Sequence, residues 1–136
     1  GRTDAIHTHG LEEAIYRAQR YHEMGADIIF VEAPKNIEEM RLICHEVPGC
    51  HLANIVEGGL TPNLDMKQLA DIGYQFAVYP LTLLSASMQA MKTTLALMAK
   101  DLPRNDGLMD FDTLKQTVGF NEYYEASAQY ESARRK

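Results

Sequence analysis

The side chains best suited to chemistry in this sequence are polar residues that lie within or directly after short apolar runs, together with one arginine near the start of the chain. They are Arg2, Glu32, Asn54, Glu57 and Tyr79. An arginine suits a carboxylate or phosphoryl group because its planar guanidinium forms two parallel charge-assisted hydrogen bonds. We therefore expect Arg2 to be the anion anchor of a site for a small acid.

Glu32 and Asn54 are the expected neighbours of that anchor. Glu32 ends an otherwise apolar run, and burying a carboxylate is costly unless it is paired. It would receive hydrogen bonds from Arg2 or from a substrate hydroxyl; alternatively, Glu32 and Arg2 only form an ion pair that closes the strand ends. The amide of Asn54 can donate and accept. It suits a substrate contact or a satisfied core amide equally well.

The histidines and cysteines give no comparable site. His7 and His9 have metal-ligand chemistry, but the sequence places them in a flexible loop without a third ligand nearby. Cys44 falls on a predicted helix and Cys50 precedes a strand at the end opposite the proposed site, so neither is expected to act as a nucleophile. Two cysteines without a zinc or disulfide pattern favour a reducing, cytoplasmic setting.

Three apolar runs carry most of the polar candidates, at residues 27–33, 51–57 and 74–80. Their starts lie 24 and 23 residues apart, and an amphipathic stretch fills each gap. This spacing predicts consecutive strand-helix units of a parallel α/β array. Because such arrays place their chemistry at the carboxyl ends of the strands, the polar candidates are expected to meet at one face.

Helical periodicity and capping signals predict the elements between and after these strands. The predicted helices are Leu11–Met24, a helix that Asn36 caps and Pro48 ends, a short helix that Asp65 caps and Gly73 ends, Leu81–Lys100, Asp110–Val118 and Asn121–Arg135. The Gly58-Gly59 loop after the second run is either a place where the main chain approaches a ligand or a simple turn.

The array is incomplete as it stands. A closed (β/α)8 barrel takes eight strands and roughly 250 residues, whereas this chain has 136 residues and three visible strands. The segment Arg2–Ala5 looks like the polar end of a fourth strand whose apolar body would precede residue 1; the alternative is a disordered start to a small open sheet. The terminal helices have no further strand to cover, so their tyrosines could anchor a subunit contact or pack on this chain's own barrel.

Composition excludes several classes of function. A net charge of −6 argues against a nucleic-acid surface. No segment approaches the roughly 20 apolar residues that a membrane helix needs, and no signal-peptide pattern is present. Glycine-rich phosphate loops, catalytic triads and acidic metal clusters are also not visible in the sequence. We therefore expect neither a nucleic-acid nor a membrane partner.

Five sequence blocks, in order across residues 2 to about 92, resemble the isocitrate lyase and phosphoenolpyruvate mutase superfamily. They are Arg2-Thr-Asp-Ala5, Gly10-Leu-Glu-Glu-Ala14, Gly25-Ala-Asp-Ile-Ile-Phe-Val-Glu-Ala-Pro34, Ala53-Asn-Ile-Val-Glu-Gly-Gly59 and Tyr79-Pro80. The ending Gly119-Phe-Asn-Glu-Tyr-Tyr124 resembles the methylisocitrate lyase-like branch. The stretch Val56-Glu57-Gly58-Gly59 looks more like enzymes that act on small substituted malates or oxaloacetate.

The resemblance implies the C-terminal part of a (β/α)8 barrel at residues 1–101 and a helical extension at residues 102–136. Its members are usually tetramers that exchange their C-terminal helices. They use Mg²⁺ to hold an α-hydroxy or α-keto acid and act through an enolate-like intermediate. By motif match Arg2 would bind the substrate carboxylate or phosphonate, Glu32 would hydrogen-bond near the substrate oxygen, Asn54 would contact the carboxylate and Pro80 would lie at the rim of the last strand.

The family's acidic magnesium ligands and its gating loop with a lysine and a cysteine belong to the earlier half of the barrel. They are not matched in this chain, so the chain alone is expected to be inactive and to contribute no metal ligand. The resemblance implies a carbon-carbon lyase for a small dicarboxylate of the methylisocitrate, dimethylmalate or oxaloacetate type. The alternatives are a phosphonate mutase of the phosphoenolpyruvate or carboxyphosphonoenolpyruvate type and a non-catalytic half-barrel.

Overall fold

Four short parallel strands form one sheet in a computed structural model of the chain. The structure describes the backbone of residues 1–134 and the side chains of residues 1–130. The strands are β1 (Arg2–Thr3), β2 (Ile28–Val31), β3 (Cys50–Asn54) and β4 (Phe76–Val78). They lie in the order β1-β2-β3-β4, and every neighbouring pair is parallel. The three predicted strands are confirmed, and the segment at Arg2 is a fourth strand.

Seven helices accompany the sheet in the described part of the chain. They are α1 (Ala5–His9), α2 (Leu11–Glu23), α3 (Ile37–Glu46), α4 (Met66–Ile72), α5 (Thr82–Met98), α6 (Phe111–Thr117) and α7 (Phe120–Arg134), with a 3-10 turn at Asn105–Gly107. The predicted helices agree with these bounds to within a few residues; Arg135, the predicted end of the last one, lies outside the described residues.

The prediction of a flexible loop at His7 and His9 is wrong. Both histidines lie in α1, a five-residue helix. The backbone amide of Ala5 donates to Thr3 Oγ1 at 3.2 Å, and the side chains of Ala5 and Ile6 are buried. The burial of these two apolar residues stabilises the helix. Two adjacent apolar residues are too few to show helical periodicity in the sequence.

The strand order shows why this sheet is part of a barrel. Parallel strands are joined by right-handed crossovers, so a sheet that adds each new strand on the same side keeps every connecting helix on one face. A doubly wound sheet would instead reverse its strand order and cover both faces. The observed order is that of a (β/α)8 barrel wall, with helices outside and strand side chains inside.

The outer face of the sheet is the buried one. Its core has two clusters, one around Ile29, Val31 and Ile43 and a second around Met40 and Leu69. Full burial of aliphatic side chains like these typically contributes about 1.5–3 kcal/mol each. Along β2 the buried Ile29 and Val31 alternate with Ile28 and Phe30, which face the other way. The other core residues named here lie on the helices, so the hydrophobic core lies between the strands and α2, α3 and α4.

The inner face of the sheet carries apolar side chains that are only partly covered. Phe76 and Val78 on β4 are 47% and 40% exposed. β1 and β4 are also the unpaired edges of the sheet. Exposed apolar strand faces and open edges are normally avoided because they promote association. Both features fit a barrel wall whose remaining strands are supplied by other residues.

Two helix caps fix where the outer helices begin. The Asn36 side chain accepts a hydrogen bond from the Glu39 amide at 2.8 Å, as expected for the start of α3. Asp65 and Gln68 form a reciprocal capping box at the start of α4. Both caps follow carboxyl ends of strands, so they also fix the loops that carry the polar candidates.

The chain divides into two compact units, residues 1–88 and 89–136. The predicted division into residues 1–101 and 102–136 stays a prediction. No side chain of α5 is buried, and its exposed apolar residues include Leu83 at 81%. Among the described residues, no helix has both the length and the apolar character needed to cross a membrane.

His51 predicts a pH dependence of stability. It is buried at the start of β3, where its Nε2–H donates to the carbonyl of Val47 at 2.8 Å. Burial, and to a smaller degree the neighbouring His22, lower its pKa below the ordinary 6.5, although the hydrogen bond to Val47 opposes this. Below pH 6.5 the unfolded chain therefore binds a proton that the folded chain resists, and stability is lost as the pH falls.

We expect the melting temperature of the complete protein to fall more between pH 7.5 and pH 5.5 in the wild type than in His51→Gln. His45→Gln is the matched control because the His45 side chain is 82% exposed. That variant should keep the wild-type pH dependence. Equal losses of melting temperature in the wild type and His51→Gln would contradict the assignment to His51.

Candidate functional site

The polar candidates lie at the carboxyl end of the sheet. Arg2 is in β1, Glu32 directly follows β2, Asn54 is the last residue of β3, and Pro80 follows β4 in the turn before α5. Parallel strands end at the same edge, which is why four positions spread over 79 residues share one region. The strand ends thus bring Arg2, Glu32 and Asn54 to the face at which the sequence analysis expected polar side chains to meet. Their roles in binding a substrate, and that of Pro80 at the rim, stay predictions.

Glu32 and Asn54 contact each other directly. The pairing of Ile28 with Cys50, continued along the two strands, places Glu32 level with Asn54. Asn54 Nδ2 donates to the two carboxylate oxygens of Glu32 at 3.4 and 3.3 Å. These are long hydrogen bonds, so the amide orients the carboxylate without binding it tightly.

Arg2 is held in place by two carboxylates and an aromatic ring. Its Nε and Nη2 donate to the two oxygens of Asp4 at 2.9 and 3.4 Å, and Nη2 lies 3.4 Å from Glu32 Oε2. The guanidinium carbon lies 4.8 Å from the centre of the Phe30 ring. The hydrogen bond that Arg2 donates to Asp4 raises the pKa of the guanidinium above its ordinary value, despite some desolvation. Arg2 therefore presents a fixed positive charge.

Asp4 is the member of the cluster that sequence reasoning missed. The sequence interpretation paired Arg2 with Glu32, whereas the shorter contact is the one between Arg2 and Asp4. The signal was available in the sequence, because Asp4 lies only two residues after Arg2 and directly follows β1. Arg2 therefore forms ion pairs with both Asp4 and Glu32. Its side chain is still 56% exposed, so these ion pairs leave it accessible to an anion.

Asn54 Oδ1 is buried and has no hydrogen-bond partner in the described part of the chain. The amide orientation follows from its contact with Glu32, because the reversed amide would turn an oxygen towards the carboxylate. A buried acceptor without a partner costs free energy, which a ligand or water can recover by donating a hydrogen bond. The Asn54 nitrogen is thus satisfied by Glu32, whereas the oxygen remains available to a ligand, and contact with a substrate stays a prediction.

Backbone geometry fixes the position of the Glu32 carboxylate. The Glu32 amide donates to the Thr3 carbonyl at 3.0 Å, which extends the β1–β2 ladder to this residue. The next residue, Ala33, has a φ of 60°. This left-handed conformation is unfavourable for alanine, and strained residues of this kind cost of order 1–3 kcal/mol and cluster at functional sites. This backbone conformation of Ala33 makes the chain turn sharply after Glu32.

The part of the chain that the structure describes contains no group of three or more histidine, cysteine, aspartate or glutamate side chains able to hold a metal ion. These residues therefore do not fit a magnesium site on their own. Cys44 is also a poor nucleophile, because burial raises the pKa of its thiol to about 11. The chemistry available here is anion binding by Arg2 and hydrogen bonding by Glu32 and Asn54.

A family model described as phosphoenolpyruvate phosphomutase matches residues 1–99, which include every residue of this cluster. The chain belongs to this family. The sequence-based assignment to the phosphoenolpyruvate mutase and isocitrate lyase superfamily is thus confirmed.

Individual family members agree with the assignment. The chain is 37% identical over 137 residues to 2,3-dimethylmalate lyase of Eubacterium barkeri, covering 98% of this chain and 47% of the relative. It is 37% identical over 131 residues to 2-methylisocitrate lyase of Aeropyrum pernix, covering 94% of this chain and 42% of the relative. A crystal structure of 2,3-dimethylmalate lyase superimposes with a TM-score of 0.83 at 29% identity, covering 95% of this chain and 46% of that one.

The chain spans about half the length of these relatives. That share agrees with the four strands of the sheet, since a complete barrel has eight. The α/β fold is therefore part of a (β/α)8 barrel, as the sequence predicted.

Proposed function

We propose that the complete protein is a carbon-carbon lyase for a small α-hydroxy or α-keto dicarboxylate, and that this chain supplies the half that holds the substrate. The observation that carries the proposal is the cluster of Arg2, Glu32 and Asn54 at the carboxyl end of the strands. It combines a fixed cation, an oriented carboxylate and an unpartnered amide oxygen. Two relatives that match nearly the whole chain are named as lyases of 2,3-dimethylmalate and of 2-methylisocitrate.

Each of these groups has a distinct task in the proposed reaction. Arg2 binds one substrate carboxylate, for which its planar fork is well suited. Asn54 Oδ1 accepts a hydrogen bond from a donor on the substrate or from a bound water. Glu32 accepts a hydrogen bond from the substrate hydroxyl and so orients the oxygen that becomes the carbonyl.

In the proposed cleavage Glu32 accepts the proton of the substrate hydroxyl, the C–O bond becomes C=O, and the adjacent C–C bond breaks. An α-keto substrate first adds water across its carbonyl, and one of the two resulting hydroxyls takes this part. The electron pair of the broken bond moves onto the departing carbon as an enolate, which takes a proton from water, and Glu32 returns its proton to the solvent. Stabilising such charge is a usual role of Mg²⁺. We propose that the ion is held by residues outside this chain, because the described residues offer no ligand set.

Asp4 sets the strength of the anion site. Its carboxylate occupies the Nε side of Arg2 at 2.9 Å. A substrate carboxylate must therefore share the guanidinium with Asp4 or displace it. Because the side chains of Arg2 and Asp4 are both more than half exposed, breaking their ion pair costs little.

A phosphonate mutase is the second candidate function. The matching family model carries the name of a phosphomutase, and a phosphonate group would also suit the guanidinium of Arg2. Arg2 suits both substrates, so the lyase and the mutase are distinguished by which substrate the protein converts.

A substrate panel with the complete protein tests the proposal. The panel contains 2,3-dimethylmalate, 2-methylisocitrate, oxaloacetate and phosphonopyruvate, each with Mg²⁺ and, as a control, with excess EDTA. We expect cleavage of at least one of the first three compounds into two smaller acids, detected by NMR. Turnover of phosphonopyruvate without cleavage of the other three compounds would favour the mutase over the lyase, and no turnover at all would favour a non-catalytic half-barrel.

Replacing Asn54 tests the amide's part in this site. In the complete protein Asn54→Ala should lower kcat/KM by about 10- to 100-fold, which is the usual value of a hydrogen bond to a charged partner. Asn54→Asp should lower it further at pH 8 than at pH 6, because a second carboxylate beside Glu32 raises the pKa of the pair. Asn105→Asp, at an exposed position in the second unit, is the matched control. Full activity in Asn54→Ala would remove Asn54 from the site.

We also propose a cytoplasmic homotetramer assembled through the terminal helices. The second unit supports the assembly with a groove of about 350 Å³. Its apolar lining residues are Phe111, Leu114, Val118, Phe120 and Tyr124. Aromatic residues are enriched at subunit interfaces relative to the rest of the protein surface, so this exposed groove suits a subunit contact.

A further inference from the structure

The connection between β3 and α4 is a glycine-containing loop that leaves the sheet directly after Asn54. Its first turn is closed by the Gly59 amide, which donates to the Val56 carbonyl at 2.9 Å. A Cβ on Gly59 would lie 2.9 Å from that same oxygen, and Gly58 has a φ of 77°. Both positions therefore need glycine, and the loop has little stiffness of its own.

Three contacts fasten this loop to the segment around Pro80. The Ile55 amide donates to the Val78 carbonyl at 2.9 Å, which continues the ladder beyond β3. Thr82 Oγ1 donates to Glu57 Oε1 at 2.7 Å, across 25 residues of sequence. Tyr79 Oη donates to Met66 Sδ at 3.5 Å, at the far end of the same loop. The side-chain contacts thus come from the residues on either side of Pro80.

The hydrogen bond between Glu57 and Thr82 is the strongest of the side-chain contacts. It has a charged acceptor, and such bonds are roughly twice as strong as neutral ones. The hydrogen bond from Thr82 lowers the pKa of the Glu57 carboxyl, so Glu57 is ionised at neutral pH. Thr82 begins the 17-residue helix α5, whose N-terminal dipole also favours a negative charge there.

We propose that Glu57 is a positioning residue, which through Thr82 holds the loop after β3 against the rim at Pro80 and so fixes Asn54 beside Glu32. This inference rests on the proposed function of the site. Within the described part of the chain, the side-chain hydrogen bond of Glu57 is with Thr82 and not with a residue of the site. Glu57 lies three positions after Asn54 on the same chain segment. Releasing it would loosen the segment that carries the amide, while the sheet and the outer core stay intact.

A double-mutant cycle in the complete protein tests the proposal. The variants are Glu57→Ala, Thr82→Val and the double variant, and Thr82→Ser is the conservative variant that keeps the hydroxyl. Each of the first three should raise KM for the dicarboxylate about tenfold, with the double variant no worse than either single one. Thr82→Ser should stay within twofold of the wild type. Amide hydrogen exchange of residues 58–61 should accelerate in the first three variants alone.

The two readouts separate this proposal from the proposed function. Faster exchange in Glu57→Ala and Thr82→Val supports the positioning role of the hydrogen bond between Glu57 and Thr82, even if the wild type cleaves no dicarboxylate. In that case only the proposed function fails. Wild-type exchange together with wild-type KM in both variants would overturn the proposal. It would also be overturned by multiplicative effects in the double variant, because two residues that act through one hydrogen bond cannot contribute independently.

Discussion

Arg2→Ala should lower kcat/KM of the complete protein by about 10²- to 10³-fold, which is the usual loss when one preorganised donor to a reacting anion is removed. Arg2 is the only positive charge within the described cluster, and Asp4, Glu32 and Phe30 hold it in position. Without it, two carboxylates would face an anionic substrate. The measurement is steady-state kinetics, with circular dichroism to show an unchanged fold.

Two further variants make the Arg2 result specific. Arg2→Lys keeps the charge but loses the planar fork, so we expect activity between those of the wild type and Arg2→Ala. Arg20→Ala removes an equally exposed arginine from α2 and should leave the kinetics unchanged. Unaltered kcat/KM in Arg2→Ala would remove Arg2 from the site.

The polypeptide of residues 1–136 on its own should show no measurable turnover with any substrate of the panel. The described residues offer no metal-binding group, and the inner face of β4 is left exposed at Phe76 and Val78. We also expect this polypeptide to self-associate, because an apolar strand face beside an open sheet edge favours pairing.

Restoring the rest of the barrel should restore the activity. Supplying the preceding half of a barrel as a separate polypeptide, taken from the same gene if it encodes one, should give turnover and reduce self-association. The matched control is the same mixture with Arg2→Ala in this chain, which should remain inactive. Turnover by residues 1–136 alone, at a rate comparable with that of the mixture, would show that these residues contain a complete site.

Much of the fold was readable from the sequence because its signals are local. Asn36 and Asp65 cap their helices as expected, since capping depends on residues only three positions apart. The strands were visible as apolar runs, although the structure makes them shorter than those runs. Helix α1 was missed because Ala5 and Ile6 are buried by tertiary packing, which a five-residue segment does not reveal in its own pattern.

The site was predictable in its location but not in its contacts. Arg2, Glu32 and Asn54 follow from the rule that parallel strands place polar residues at their carboxyl ends. Two contacts depend on side-chain geometry, which the strand pattern does not reveal. They are the ion pair of Asp4 with Arg2 and the hydrogen bond between Glu57 and Thr82. The unpartnered Asn54 Oδ1 depends on side-chain geometry as well, because whether an amide is satisfied is decided by neighbours that are distant in sequence.

The most direct test of the account is a crystal structure of the complete protein with Mg²⁺ and oxalate, a minimal dicarboxylate. We expect one oxalate carboxylate to accept hydrogen bonds from the guanidinium of Arg2, beside Glu32 and Asn54 at the carboxyl end of the strands. Mg²⁺ should be bound by residues outside this chain. Oxalate bound elsewhere, with Arg2 still paired to Asp4, would contradict the assignment of this cluster as the substrate site.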